Sequence, residues 1–227
     1  MKKCLIYIYL LLLTSLCCLQ AGAVSSEIRS LSVSDGLPDL VINTIYKDSK
    51  GYVWMGTNTS VERFDGIRLE HYMVEGSNEN LKRVFALVEM PGNELWVGTG
   101  MGLFRLADDA EKLERLAPEM ITSGVHAFCK LGDVLYVGTE KGLYVYKGGV
   151  FEHVLVDKNV FSRANFVTGM VEGENGILWL STMGGLKSLR LSDHTITSFS
   201  DKLAKNGQNL SFYNITRILS LIHISEP

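Results

Sequence analysis

One short stretch of this chain is written four times, and nothing else in it constrains the fold as tightly. It reads YVWMGTNTSVERF at 52–64, ELWVGTGMGLFRL at 94–106, LYVGTEKGLYVY at 135–146 and ILWLSTMGGLKSL at 177–189. The large aromatics Trp54, Trp96, Tyr136 and Trp179 mark the repeat, at intervals of 42, 40 and 43 residues. A period near forty, cut into short runs of β-formers, is the length of one four-stranded propeller blade.

The first unit divides into runs at 42–46, 52–56, 61–64 and 68–72, with the turn signals Asp48-Ser49-Lys50-Gly51 and Asp65-Gly66 between them. Each repeated residue has a physical reason. The aromatic on the second run is an apolar plate for the adjacent blade, burying area that one four-stranded sheet cannot bury alone. Gly56, Gly98 and Gly138 follow two residues later, where the backbone passes close to a neighbour, and Ser181 stands in that place in the fourth unit. Thr57, Thr99, Thr139 and Thr182 put a β-branched hydroxyl at the strand end. Gly102-Leu103, Gly142-Leu143 and Gly185-Leu186 turn the chain into the third strand, whereas the first unit has Ser60-Val61. Ahead of each aromatic runs an innermost strand of the form Ile42-x-x-Ile45, Val84-x-x-Leu87, Val125-x-x-Phe128 or Val167-x-x-Met170. Cys129 aligns with Tyr46, Val88 and Val171, so it reads as a small core residue. The expected fold is all-β: four propeller blades and the start of a fifth from about Asn214, an incomplete ring.

Residues 35–72 carry a family resemblance. Asp35-Gly36-Leu37-Pro38, Asp48, Gly51, Trp54, Gly56 and Thr57 follow the order of the two-component regulator propeller repeat. The resemblance extends in degenerate form to about Leu219. It implies a sensory, non-catalytic region outside the inner membrane, belonging to a longer hybrid histidine kinase that acts as a homodimer. The ligand it implies is a small extracellular molecule, with oligosaccharides the class considered. A secreted propeller enzyme acting on glycans and a structural interaction scaffold are the alternatives.

The ends bear on location. Lys2 and Lys3 precede an apolar run from Cys4 to about Leu19, followed by Ala21-Gly22-Ala23, the pattern of a secretory signal peptide over 1–23. An uncleaved anchor is the alternative. The propeller is then expected over 24–219 of an exported, periplasmic product, and 220–227 reads as a foreign or truncated tail. Three of the four cysteines lie in the leader, which leaves Cys129 without a disulfide partner. The net charge is −3, and two of the lysines leave with the leader. An acidic balance of this kind disfavours nucleic acid.

No nucleophile motif, phosphate loop or metal-ligand spacing is present, and the five histidines are scattered, so catalytic residues, metals and cofactors are each expected to be none. If a ligand binds, propeller geometry puts it over the channel end where the connections between blades gather with the turns joining second and third strands. Lys82, Arg83, Lys141, Arg163 and Asn165 are the polar candidates there. Export with cleavage after Ala23 should leave Val24 as the first residue of the secreted product, which intact-mass spectrometry reads directly.

Overall fold

A computed structural model describes residues 30–74 and 81–199. The leader, the start of the fifth unit and the tail lie outside the described residues. The rest is all-β apart from three single-turn 3-10 segments. Four antiparallel four-stranded sheets follow one another, each in simple chain order. The first holds β1 (Thr44–Lys47), β2 (Val53–Gly56), β3 (Val61–Phe64) and β4 (Leu69–Tyr72). The second holds β5 (Val84–Met90), β6 (Glu94–Thr99), β7 (Gly102–Leu106) and β8 (Glu114–Arg115). The third runs through β9 (Val125–Leu131), β10 (Val134–Thr139), β11 (Gly142–Lys147) and β12 (Val150–Val154). The fourth runs through β13 (Val167–Glu172), β14 (Ile177–Thr182), β15 (Gly185–Arg190) and β16 (Ile196–Ser198). The innermost strands β1, β5, β9 and β13 lie side by side in that order. The described blades form an open arc.

The cores lie between blades. Trp54, Val61 and Tyr72 of the first blade pack with Val84, Leu87, Leu95, Val97 and Phe104 of the second. Val88, Trp96 and Leu103 of the second then meet Val125, Leu135, Val137 and Tyr144 of the third. Tyr136, Leu143 and Val145 of the third meet Val167, Leu178, Leu180 and Leu189 of the fourth. Trp54, Trp96 and Tyr136 are thus the plates the sequence implied. Truncating a plate of this kind to alanine costs about 3–5 kcal/mol. Trp179, in the last described blade, is half-buried and meets Phe199 edge-on at 4.9 Å.

A second strand such as β6 is buried on both faces: Leu95 and Val97 face one core and Trp96 the next. Its alternation is therefore one of partner, while its polarity stays uniform. The glycine two residues after the plate is where adjacent blades come closest. A Cβ on Gly98 would stand 2.8 Å from Cγ1 of Val125, and one on Gly138 would stand 2.8 Å from Cγ1 of Val167. Gly56 holds the same relation to Val84. In the fourth blade Ser181 pairs across the sheet with Gly169, where the second and third blades have Ala86 and Ala127. The Cβ removed on one strand is restored on the other.

The threonines have a sharper use than their type suggested. Thr99 and Thr139 are fully buried, and their hydroxyls donate to the carbonyls of Gly102 (3.0 Å) and Gly142 (2.9 Å). The same oxygens accept the backbone N–H of Met101 and of Lys141, each at 3.1 Å. Thr57 and Thr182 close their turns in the same way. Gly102, Gly142 and Gly185 have φ of 129°, 123° and 98°, which accounts for the glycine of each Gly-Leu pair. In the first blade Asp48 accepts the Tyr52 N–H (2.8 Å) and the Trp54 indole N–H (2.7 Å), which explains its spacing ahead of the tryptophan. Cys129 is a half-buried flank of the third core, and desolvation pushes its thiol up to about 11.

Replacing Gly98 with Ala should destabilise the protein by about 1–3 kcal/mol through overpacking against Val125. Adding Val125→Ala should recover part of that loss, a coupling that denaturant titration of the single and double variants would measure.

Candidate functional site

Three of the innermost strands, β5, β9 and β13, share an irregularity that aims side chains at one end of the channel. Val84 pairs with Thr99 and Ala86 with Gly98, so Phe85 is an extra residue between them. His126 is extra in β9 and Thr168 in β13, at the same place in the register. A bulge of this kind leaves its residue outside the ladder and redirects its side chain. Phe85 and His126 come ring to ring at 4.1 Å, and His126 meets Phe166 at 4.7 Å. The guanidinium of Arg83 lies over the Phe85 ring at 5.3 Å. A cation and three rings therefore run across three blades.

The backbone beneath Arg83 is strained. Lys82 and Arg83 have φ of 49° and 75°, two consecutive non-glycine residues in the left-handed region. Each such residue costs on the order of 1–3 kcal/mol and persists only where its surroundings hold it. Here the Arg83 N–H donates to the Asn58 carbonyl at 2.8 Å, and the Arg83 carbonyl accepts from Gly100 at 3.0 Å. A side chain at Gly100 would collide with the Lys82 carbonyl. The turn between second and third strands thus grips the connection that presents Arg83.

Polar groups complete the rim. Glu140 Oε1 lies 3.2 Å from His126 Nε2. The His126 side chain is only 12% exposed, and its burial pulls its pKa below the ordinary 6.5, assisted by the Arg83 charge and opposed by Glu140. On the first blade Asn58 Nδ2 donates to Asp39 Oδ2 at 2.7 Å, and Asn43 Nδ2 donates to Asn58 Oδ1 at 3.1 Å. The Val41 N–H holds the Asp39 carboxyl below its usual range, with Asn58 contributing. Such a surface offers ring faces, a cation, amides and hydrogen-bond acceptors, a set suited to holding a ligand.

The five predicted residues fall in different places. Arg83 sits on the row. Lys82 is exposed beside it, and Arg163 is exposed on the connection between the third and fourth blades. Lys141 faces outward: its ammonium reaches Thr122, and its carbonyl accepts from His153 of the outermost strand. Its neighbour Glu140 takes the inward position. Asn165 is 1% exposed. Its side-chain oxygen accepts from Asp157 N–H, and its amide nitrogen donates to the carbonyls of Asp157 and Asn159, so it frames its own loop instead of offering groups to a ligand. Asn43, Phe85, His126, Glu140 and Phe166 were missed. For Phe85 and His126 the spacing held a signal, because Val84 and Leu87, like Val125 and Phe128, line one core three residues apart, which a strand of period two allows only with a bulge.

Known proteins share the repeat and the fold. The sequence pattern of the Two component regulator propeller family matches residues 36–59, the segment from Gly36 through Asp48 and Trp54 to Thr59. The chain carries a regulator-propeller repeat. It is 27% identical to Histidine kinase P4 of Formosa agariphila over 85% of this chain and 16% of that protein, so it spans about a sixth of the relative's length. Among solved structures it resembles the extracellular domain of a hybrid two-component system from B. thetaiotaomicron. The TM-score is 0.64 at 21% identity, over 75% of this chain and 26% of that one. It also resembles virginiamycin B lyase from Staphylococcus aureus, with TM-score 0.56 at 17% identity, over 72% of this chain and 57% of the lyase. Both structural likenesses are likenesses of fold.

Because burial disfavours the imidazolium, folded His126 binds a proton less readily than the unfolded chain. Its contribution to stability is intact well above pH 6.5 and is lost as the pH falls from there toward the lowered folded value. His126→Phe should remove that acid sensitivity. Urea midpoints of parent and variant, compared between neutral and mildly acid pH, would show the parent losing more.

Proposed function

We propose that these blades belong to the ligand-sensing region of an extracytoplasmic two-component receptor, and that they bind without catalysing. The observation that carries this reading is the row Arg83, Phe85, His126 and Phe166, set on repeated bulges over a strained connection. Strain and re-aimed side chains concentrate where a fold does its work. Two carboxylates of this rim are already engaged, Asp39 by Asn58 and the Val41 amide, Glu140 by His126. That favours recognition over glycoside hydrolysis, which needs two carboxyl groups facing one bond.

The regulator-propeller repeat and the likeness to a histidine kinase favour a receptor. The fold shared with the extracellular domain of a hybrid two-component system supports a location outside the cytoplasm. Oligosaccharides suit the row, since a sugar ring offers an apolar face to stack on Phe85 or Phe166 and hydroxyls for Glu140 and Arg83. In the longer protein, the ligand would favour one arrangement of two receptor chains. A preference of about 5.5 kcal/mol takes a two-state system nearly from one state to the other.

The test is calorimetric titration of the full extracytoplasmic region with an oligosaccharide panel, alongside a cleavage assay. Saturable binding without turnover, weakened at least about tenfold by Phe85→Ala, is expected, a loss of about 1.4 kcal/mol. Turnover that disappears in Glu140→Gln would overturn the sensor reading.

A further inference from the structure

At the opposite end of the strands, the turns joining first to second and third to fourth strands frame crevices between the first and second blades and between the second and third. These two crevices differ sharply. Between the first and second blades the crevice is latched: Ser49 donates its N–H and its hydroxyl to Glu89, at 2.9 and 2.6 Å, and Lys50 pairs with Asp108. The Arg63 guanidinium lies over the rings of Tyr52, Trp54 and Tyr72, at 4.8, 5.6 and 5.6 Å. What remains is a cavity of about 20 Å³. Between the second and third blades, the corresponding cavity is about 620 Å³. That falls in the range of roughly 300–1,000 Å³ typical of small-molecule sites.

The register shows why one closes and the other stays open. Trp54 pairs with Tyr46, Trp96 with Val88 and Tyr136 with Cys129, so Ser49 and Lys50 correspond to Pro91 and Gly92, and Glu89 corresponds to Lys130. Leu106 and Tyr146 hold matching places opposite Leu95 and Leu135, so Asp108 corresponds to Gly148. Both latch donors and both latch acids are therefore gone. Arg105 stands opposite Trp96 as Arg63 stands opposite Trp54, yet it pairs with Glu114 at 2.6 Å and Glu94 at 3.7 Å.

We propose that this open crevice is a second binding site, for a small aromatic compound carrying a carboxylate or sulfonate. Its lining includes Met90, Trp96, Leu116, Leu135 and Phe151, an apolar wall for a ring beside the polar groups of Glu94, Arg105, Lys130 and Asp133. Lys130 reverses the polarity found next door, since an ammonium stands where the latched crevice has the Glu89 carboxylate. That ammonium donates to the Glu89 backbone carbonyl at 3.0 Å and has no ion-pair partner among the described residues. Glu94 is occupied by Arg105 and by the Trp96 indole at 3.1 Å. Asp133, on the β9–β10 turn at the rim, is the charge that opposes an incoming anion. The site is distinct from the row at Arg83, and its occupancy does not depend on what binds there.

The probe is naphthalene carboxylate, with the neutral naphthalene carboxamide beside it, each titrated into the protein by calorimetry. Saturable binding of the carboxylate is expected. Lys130→Glu should weaken it at least about tenfold through loss of a charge-assisted contact, while the carboxamide changes less than about twofold. Asp133→Asn should tighten the carboxylate, and Lys158→Glu, the same charge change on an exposed loop elsewhere, should leave it unaltered. Thermal melts of each variant check that the fold persists. Absence of saturable carboxylate binding, equal weakening of both probes by Lys130→Glu, or an equal effect of Lys158→Glu would each overturn the proposal.

Discussion

Everything in this arc of blades depends on a methyl group seated against a glycine. The first valine of β5, β9 and β13 packs onto Gly56, Gly98 and Gly138 of the preceding blade, where a single added carbon would overlap it. That contact sets the distance between sheets. The aromatic plates then bury fully only because the sheets are held that close, and the next blade starts in a fixed place. The buried threonine beside each glycine ties down the turn that follows, so the close approach and the turn geometry arise from adjacent residues.

The rim described at Arg83 is a by-product of the same contact. For the first valine and the large apolar residue three positions on to face one core, the innermost strand must take an extra residue between them. That residue is Phe85 in one blade, His126 in the next and Thr168 in the third. The scaffold thus generates, in each of these three blades, one position released from packing duty and aimed at the channel. The crevices at the other end vary for the opposite reason. Their latches are side chains on turns and near strand ends, which the repeat does not constrain, so Glu89 can become Lys130 without disturbing a sheet.

This division explains what was legible in the sequence. Trp54, Gly56 and Thr57 recur because their roles are steric and identical in each blade, and a period can be read from them. Phe85, His126 and Thr168 share a position but no chemistry, so the aligned sequences leave that column blank. Glu140 and Lys141 are neighbours on one turn, and only the three-dimensional path of the turn separates the inward carboxylate from the outward ammonium. Asn165 illustrates a different gap. A polar residue in a connection looks available to solvent, yet this one is buried beneath its loop and supplies the hydrogen bonds that hold the loop's shape.

Because every hydrophobic core belongs half to one blade and half to the next, the natural unit of this architecture is the seam and not the sheet. Coupling passes from neighbour to neighbour along the arc, as in other repeat arrays. A seam that loosens releases the turns of both blades it joins. The mouth row crosses the second-to-third and third-to-fourth seams, at His126 beside Phe85 and at Phe166 beside His126. A molecule resting there would therefore act as a staple across joints, converting occupancy into stiffness that adjoining repeats can feel.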